Sequence, residues 1–214
     1  MRRRNFLRLV AVAVGHAFVA PGSALAKTCG DRFSGQVVEK WLDDGRNMQL
    51  AESFEYISSD CRRWPVPKGA VTDGASIPPV FWSVLGGPYE DKYRTAAVIH
   101  DYYCDVRTRK YTSVHKVFYE AMQTSHVDST RAWIMYQAVL RFGPRWPDPP
   151  IDDPRCDAVD AKYDFTLCAQ NSAKPPVTWP VLDQQRGQAF LDEIKSRAST
   201  SDLQALTRAV SKLQ

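Results

Sequence analysis

Long hydrophobic runs are scarce in this 214-residue chain, and so is any excess of charge of one sign. Outside the N-terminal segment, no apolar stretch approaches the roughly 20 residues that a membrane-spanning helix requires. The first acidic residue is Asp31, and four of the 28 basic residues lie within residues 1–26. Beyond that segment, the remaining basic residues therefore equal the 24 acidic ones. This balance gives no reason to expect a nucleic-acid partner.

The strongest catalytic and metal-binding motifs are also missing. The chain contains no H-E-x-x-H, no C-x-x-C and no G-x-S-x-G. These absences argue against a zincin-type protease, a cysteine-rich zinc module and the nucleophile elbow of α/β-hydrolases. Chemistry must therefore come from side chains that the fold, and not a short motif, brings together.

Residues 1–26 have the pattern of a removable export signal. Three arginines precede an Ala/Val-rich stretch, and Ala24-Leu25-Ala26 gives a small-x-small cleavage site. The segment Arg3-Arg4-Asn5-Phe6-Leu7-Arg8 resembles the twin-arginine pattern R-R-x-F-L-K of proteins exported after folding. An ordinary secretory signal with an Arg-rich start is the alternative. Either way, we expect a periplasmic or secreted protein without a transmembrane anchor after signal removal.

Five cysteines lie beyond the signal, and an odd number leaves one of them unpaired in an oxidising compartment. We predict the disulfides Cys29–Cys61 and Cys156–Cys168, since each pair brackets one loop-rich segment. Cys104 would then be a packed thiol. Because no C-x-x-C spacing is present, a cysteine-based metal site is not expected.

The pattern beyond the signal predicts an α+β fold. In residues 27–146 we expect a small N-terminal antiparallel β-sheet packed against a helical hairpin and additional helices. Residues 147–180 are rich in Pro and Asp and read as a long surface loop. Residues 181–214 read as C-terminal amphipathic helices, the second of them capped by Ser201.

Two predicted consecutive helices each carry a histidine on the apolar face. His100 lies on a helix over residues 90–105, and His115 lies on a helix that begins near Ser113. If the two helices form an antiparallel hairpin, both imidazoles can point into one interior region. Asp101 follows His100 directly, and Asp73 lies in the loop before both helices.

Three interpretations of these residues remain open. In the first, His100, His115 and Asp73 or Asp101 bind Zn²⁺ or a similar divalent metal, with one position left for water. In the second, His100 is a catalytic base and Asp101 helps to bind Ca²⁺. In the third, the histidines are core residues with structural hydrogen bonds only. Ser76 and Tyr103 are candidate supporting residues in the two chemical interpretations.

Three motifs in order carry a resemblance to a known family. They are Val66-Pro67-Lys68-Gly69-Ala70-Val71-Thr72-Asp73-Gly74-Ala75-Ser76-Ile77-Pro78, Ala96-Ala97-Val98-Ile99-His100-Asp101-Tyr102, and Val117-Phe118-Tyr119-Glu120-Ala121-Met122. The chain thereby resembles a domain-of-unknown-function family of bacteria and their phages, with a V-P-x-G-x-x-T-D-x-A-S-I-P loop and an H-D-x-x-Y helix. That family commonly has Asp where this chain has His115, so the resemblance alone does not imply two histidine ligands.

A second, weaker likeness concerns a few residues only. The segment His100-Asp101-Tyr102-Tyr103-Cys104 is similar to the His-Asp helix of phospholipase A2 enzymes, although the glycine-rich calcium loop of those enzymes is absent.

From the export signal and the His/Asp residues together, we expect an exported cell-envelope hydrolase that acts on peptidoglycan peptide bonds or lipid ester bonds. The alternative is a non-enzymatic envelope-binding or assembly protein with a structural His/Asp cluster.

The twin-arginine interpretation is testable by replacing Arg3 and Arg4 with Lys. We expect export to stop, because the twin-arginine export pathway recognises the arginine pair itself. Fractionation of cells that express either form measures the outcome. Unchanged export would rule out the twin-arginine route.

Overall fold

The computed structural model describes residues 29–74, 81, 92–147, 174 and 176–213. Ser76, Cys156 and Cys168 lie outside these residues, as do residues 1–26 and most of the Pro/Asp-rich segment. In the part of the chain that is described, the fold is α+β, as predicted. Within those same ranges, every helix is too short or too polar to cross a membrane.

Two small antiparallel sheets form the N-terminal side, where the sequence predicts one. The first contains β1 (Arg32–Ser34), β4 (Phe54–Ile57) and β5 (Arg63–Val66), in the order β1-β4-β5. The second contains β2 (Glu39–Trp41), β3 (Met48–Leu50) and β6 (Val71–Thr72), in the order β2-β3-β6. Because all the strands have two to four residues, each sheet depends on the helices for its stability.

The first sheet is anchored on the core by aromatic side chains and closed by a covalent bond. Phe54 and Tyr56 of β4 point to the same face and are buried. Pro65 lies on the edge strand β5, the position where a residue without an N–H group is tolerated. Cys29 and Cys61 form a disulfide, the pairing predicted from the sequence.

Three consecutive helices form the centre of the molecule. They are α1 (Arg94–Val106), α2 (Tyr111–Thr124) and α3 (Ser129–Phe142). Arg107 follows the last residue of α1, and its left-handed backbone turns the chain. Asp128 caps the start of α3, because its carboxylate accepts from the backbone N–H of Arg131 at 3.0 Å. α1 packs against α2, and α2 packs against α3. The predicted helical hairpin is therefore present.

Among the described residues that follow, there are two helices, α4 (Gln184–Ile194) and α5 (Thr200–Val210), and a 3₁₀ turn over Ser211–Leu213. The prediction that Ser201 caps the last helix is wrong. α5 already begins at Thr200, because the backbone N–H of Leu203 bonds the carbonyl of Ser199 at 2.9 Å. α4 docks through Phe190, whose ring lies 5.6 Å from Phe142 of α3.

The fold holds two segments against the α1–α2 pair, and both bear on function. Thr72 of β6 reaches Asp101 of α1 through a side-chain hydrogen bond. The segment after α3 turns at Gly143 and then pairs with an extended segment, since Arg145 and Thr178 exchange backbone hydrogen bonds of 2.8 and 2.7 Å. The chain after α3 thus passes beside α2 in a fixed position.

The turn at Gly143 leaves no room for a side chain. A Cβ atom added there would lie 2.3 Å from the carbonyl oxygen of Val139, which is backbone and cannot move aside. We expect Gly143→Ala to lower the free energy of unfolding by about 1–3 kcal/mol, the cost typical of overpacking. Denaturant unfolding measures this difference.

Ser125→Ala is the matched control, because Ser125 already carries a Cβ atom at the C-terminal cap of α2. We expect this variant to stay within about 0.5 kcal/mol of the wild type. Equal stability of Gly143→Ala and the wild type would contradict the tight turn.

Candidate metal centre

Three metal-ligating side chains meet inside the α1–α2 interface. The Nε2 atom of His100 lies 2.9 Å from Nδ1 of His115, and the Sγ atom of Cys104 lies 3.6 Å from the same Nε2 atom. One ligand atom from each of the three residues lies within 4.8 Å of the other two. His100 and Cys104 are four residues apart on α1, so one turn of helix places both on the face that meets α2.

The distances among the ligand atoms are near those around a single tetrahedral ion, although the side chains must move to accept one. Bonds of about 2.0 Å to imidazole and 2.3 Å to thiolate imply ligand separations of about 3.3 Å between two nitrogens and about 3.6 Å between nitrogen and sulfur. The observed separations are 2.9 and 3.6 Å. The same sulfur lies 3.8 Å from Nδ1 of His100, almost as close as it is to Nε2. Insertion of an ion therefore requires the two rings to separate by a few tenths of an ångström and the Cys104 side chain to turn toward the space between them. Three protein ligands leave the fourth position of a tetrahedral ion open.

His100 has a carboxylate on its far side. Its Nδ1 atom lies 3.9 Å from Oδ1 of Asp101, and the other carboxylate oxygen of Asp101 accepts a hydrogen bond from the hydroxyl of Thr72. Metal-binding histidines commonly direct the second ring N–H to a carboxylate or carbonyl, which fixes the tautomer of the ring. At 3.9 Å the Asp101 carboxylate is beyond hydrogen-bond distance of this ring, so it would orient His100 only after the two side chains move closer.

His115 has a comparable arrangement at its other nitrogen. Its Nε2 atom is buried and lacks a hydrogen bond of normal geometry. The backbone carbonyl of Pro144, in the segment after α3, is close enough to raise the proton affinity of the ring. When Nδ1 of His115 binds an ion, Nε2 carries the proton, and the Pro144 carbonyl is the acceptor beside it.

Burial keeps all three side chains in their neutral forms. Burial lowers the pKa of His100 to about 3, and burial together with the neighbouring His100 lowers the pKa of His115 to about 2. Neutral imidazole is the form that binds a metal. Burial also raises the pKa of the Cys104 thiol well above its usual range, and the charge of Asp101 adds to this effect. Cys104 must therefore release its proton when an ion binds.

Asp73, predicted as a metal ligand, lies outside this cluster. Its side chain is 52% exposed and pairs with Arg46, with 3.4 Å between Oδ2 and Nη2. The charge of Asp73 still reaches the cluster, because it contributes to the raised pKa of Cys104. Asp73 is thus a nearby charge and is not among the three side chains that meet.

The candidate supporting residues have separate positions. Tyr103 is buried, and its hydroxyl donates to the carbonyl of Pro65 at 3.1 Å while its ring meets Trp64. It joins α1 to the first sheet and does not line the cluster. Ser76 and the second predicted cysteine pair lie among residues that the structure does not describe.

Cys104 has a neighbourhood that the sequence analysis did not assign to it. It is a buried free thiol, as predicted, but it lies within the metal-ligating group, where the sequence predicts none. No C-x-x-C pair marks this cluster, because only one of its three possible ligands is a cysteine. The usable signal was its spacing of four residues from His100, which puts the two side chains on one helical face.

The candidate metal centre lies within the part of the chain that matches a known protein family model. Residues 48–139 match a family model described as "Protein of unknown function (DUF1353)". The match includes β3 to β6, α1 and α2, and therefore all three residues of the cluster. It agrees with the resemblance to a family of unknown function, whereas the likeness to phospholipase A2 is not confirmed.

Two curated relatives come from Sinorhizobium fredii (strain NBRC 101917 / NGR234). The uncharacterised protein y4jT is 43% identical over 98 residues, which is 46% of this chain and 29% of the relative. The uncharacterised protein y4iH is 42% identical over 103 residues, which is 48% of this chain and 43% of the relative. The chain thus spans less than half the length of either protein. No solved structure matches it significantly.

The lowered histidine pKa values predict that acid destabilises the metal-free protein. In the unfolded chain both histidines bind protons below about pH 6.5, whereas in the folded protein they stay neutral down to about pH 3. Unfolding therefore takes up protons as the pH falls. We expect a loss of roughly 3–4 kcal/mol between pH 7 and pH 5, measured by denaturant unfolding after chelation.

His126 provides the control, because it is exposed at the end of α2. The variant His126→Gln should show the same dependence on pH as the wild type. A free energy of unfolding that stays constant between pH 7 and pH 5 would contradict the neutral, buried state of the two histidines.

Proposed function

We propose that this protein is an exported cell-envelope hydrolase whose divalent metal ion is bound by His100, Cys104 and His115. The observation that carries the proposal is the convergence of two imidazole nitrogens and one sulfur, each within 4.8 Å of the others. Three ligands with an open fourth position are typical of hydrolytic sites, in which the bound ion lowers the pKa of a water molecule. The substrate would be a peptidoglycan peptide bond or a lipid ester.

The donor atoms favour Zn²⁺ over Ca²⁺. Calcium takes six to eight oxygen ligands, whereas imidazole and thiolate suit zinc and its transition-metal neighbours. Asp101, which would supply an oxygen ligand to calcium, already accepts a hydrogen bond from the hydroxyl of Thr72. The neutral imidazoles and the single thiolate would leave the ion with one net positive charge, and the carboxylate of Asp101 would offset it.

Each residue has a distinct task in this proposal. His100, Cys104 and His115 bind the ion. Asp101 is a positioning residue that acts through His100, and Thr72 holds Asp101 in place. The apolar interface around the three ligands, which includes the ring of Phe118 at 4.8 Å from His100, excludes bulk water and strengthens the electrostatic effect of the ion.

A second function has an observation of its own. His100 and His115 are fully buried and Cys104 is 9% exposed, a degree of enclosure that suits a structural ion as well as a catalytic one. The alternative is a non-enzymatic envelope-binding or assembly protein in which the ion joins α1 to α2. Metal binding is common to both functions, and only hydrolysis separates them.

Export is part of the same proposal and has two supports. The Arg-rich N-terminal segment has the pattern of an export signal, and the disulfide between Cys29 and Cys61 suits an oxidising compartment. An exported hydrolase would meet peptidoglycan and lipids, which are the abundant polymers and esters of the envelope.

The metal site predicts a specific pattern among variants. We expect the wild type to bind one Co²⁺ or Zn²⁺ per chain, and the Co²⁺ form to show a thiolate-to-metal charge-transfer band. Cys104→Ser should abolish that band and weaken binding by more than about 100-fold, since even the loss of an outer-shell partner costs 10- to 100-fold. Absorption spectroscopy and equilibrium dialysis measure both effects.

Two variants serve as matched controls for metal binding. Asp73→Asn removes the carboxylate outside the cluster, and His126→Gln removes an exposed histidine; both should keep the band and the stoichiometry. Wild-type protein that takes up no ion at micromolar Co²⁺ or Zn²⁺ would overturn the metal centre.

Hydrolysis requires its own assay. We expect the Zn²⁺ protein to release either peptides from purified peptidoglycan or fatty acids from phospholipid vesicles, and Cys104→Ser to release neither. If the Zn²⁺ protein binds its ion and cleaves neither substrate, hydrolysis is wrong and the structural role of the ion remains.

A further inference from the structure

A surface cavity of about 510 Å³ lies between the C-terminal end of α3 and the segment that leads into α4. Three arginines line it, together with an exposed tryptophan: Arg141, Arg145, Arg186 and Trp179. This volume falls within the usual range of small-molecule sites. None of the three candidate metal ligands lines this cavity.

Arg145 is the cation of this cavity that no carboxylate neutralises within the described part of the chain. Its Nη2 atom donates to the carbonyls of Leu140 and Arg141 at 3.1 and 3.0 Å, at the end of α3. Its Nε atom is buried and has no hydrogen-bond partner. Because that nitrogen is enclosed by protein, a ligand in the cavity would meet the charge of the guanidinium group and not this N–H, and that charge favours an anion.

The other two arginines have partial partners. Arg141 pairs with Glu193, and the side chain of Glu193 is half exposed. Arg186 donates to the carbonyl of Val181 at 2.7 Å and lies 3.9 Å from Asp183. Among the described residues that line the cavity or pair with its lining, two carboxylates face three guanidinium groups.

The walls of the cavity are fixed by backbone pairing. Arg145 and Thr178 exchange two backbone hydrogen bonds, which hold the 176–181 segment against the end of α3. This pairing places Trp179, the next residue, at the cavity while 58% of it stays exposed. An exposed indole on a fixed backbone offers a flat apolar surface to a ligand.

We infer that this cavity binds an anionic saccharide, through a carboxylate on the arginines and the apolar face of a sugar ring on Trp179. Arginine forms bidentate hydrogen bonds with carboxylates, and a sugar ring can stack on indole through its C–H groups. A simple anion would use the arginines and leave the indole exposed. The combination of both surfaces in one cavity selects a ligand with both features.

The cavity also adjoins the candidate metal centre. The guanidinium carbon of Arg145 lies 6.0 Å from the ring centre of Tyr111, and that ring lies 5.7 Å from His115. The charge of Arg145 already contributes to the lowered pKa of His115. A saccharide in this cavity would therefore lie on the His115 side of the cluster, although its binding does not require an ion.

The test uses two sugars that differ in one group. N-acetylmuramic acid carries a lactyl carboxylate that N-acetylglucosamine lacks. By calorimetry at low salt, we expect the acidic sugar to bind at least tenfold more tightly than the neutral one. Arg186→Gln and Trp179→Ala should each weaken its binding at least fivefold. Inorganic phosphate, which lacks a sugar ring, should bind more weakly than N-acetylmuramic acid.

Matched exposed residues provide the controls. Trp41→Ala removes an indole of nearly equal exposure, 57%, on the second sheet, and Arg208→Gln removes an exposed arginine of α5. Both should bind the acidic sugar as the wild type does. Equal affinity for the two sugars, or undiminished binding by Trp179→Ala, would overturn the inference.

One further variant separates this inference from the metal proposal. Cys104→Ser removes a metal ligand and leaves the cavity intact, so it should bind N-acetylmuramic acid as tightly as the wild type. If that variant binds the sugar and no ion is found in the wild type, only the metal proposal fails. If the sugar binds neither protein, the saccharide site is wrong whatever the metal analysis gives.

Discussion

The contact between two fully buried imidazole rings in a helix interface dominates the chemistry of this protein. His100 and His115 approach to 2.9 Å because α1 and α2 pack directly on one another. Two charged imidazoles at that distance would repel strongly without solvent to screen them, so the fold requires both rings to be neutral. The same requirement makes both available as metal ligands, and the thiol of Cys104 completes a set with one open position.

The surroundings of the two rings come from parts of the chain that are far apart in sequence. Thr72 reaches Asp101 from the second sheet, and the Pro144 carbonyl reaches His115 from the segment after α3. Each ring thereby has an oxygen on the side away from the other ring. This arrangement is the one that orients metal-binding histidines, and it explains why a buried carboxylate is retained beside a buried histidine.

The segment after α3 links this cluster to the arginine-lined cavity. Pro144 faces His115, and Arg145, the next residue, lines the cavity and pairs with Thr178. Gly143 allows the chain to make this turn at the end of α3, where a side chain would collide with the carbonyl of Val139. One short turn therefore positions a neighbour of the metal centre and a wall of the cavity.

The amino-acid sequence alone determined the local structure: the helix that carries His100, the helix that begins near Ser113, and the place of one histidine on the apolar face of each. These features follow from helical periodicity, which local side chains set. Tertiary structure decided the rest. Whether Asp73 or Cys104 joins the histidines depends on how a loop and a helix face pack, and local pattern does not encode that packing. The arginine cavity arises likewise from backbone pairing between residues more than thirty positions apart.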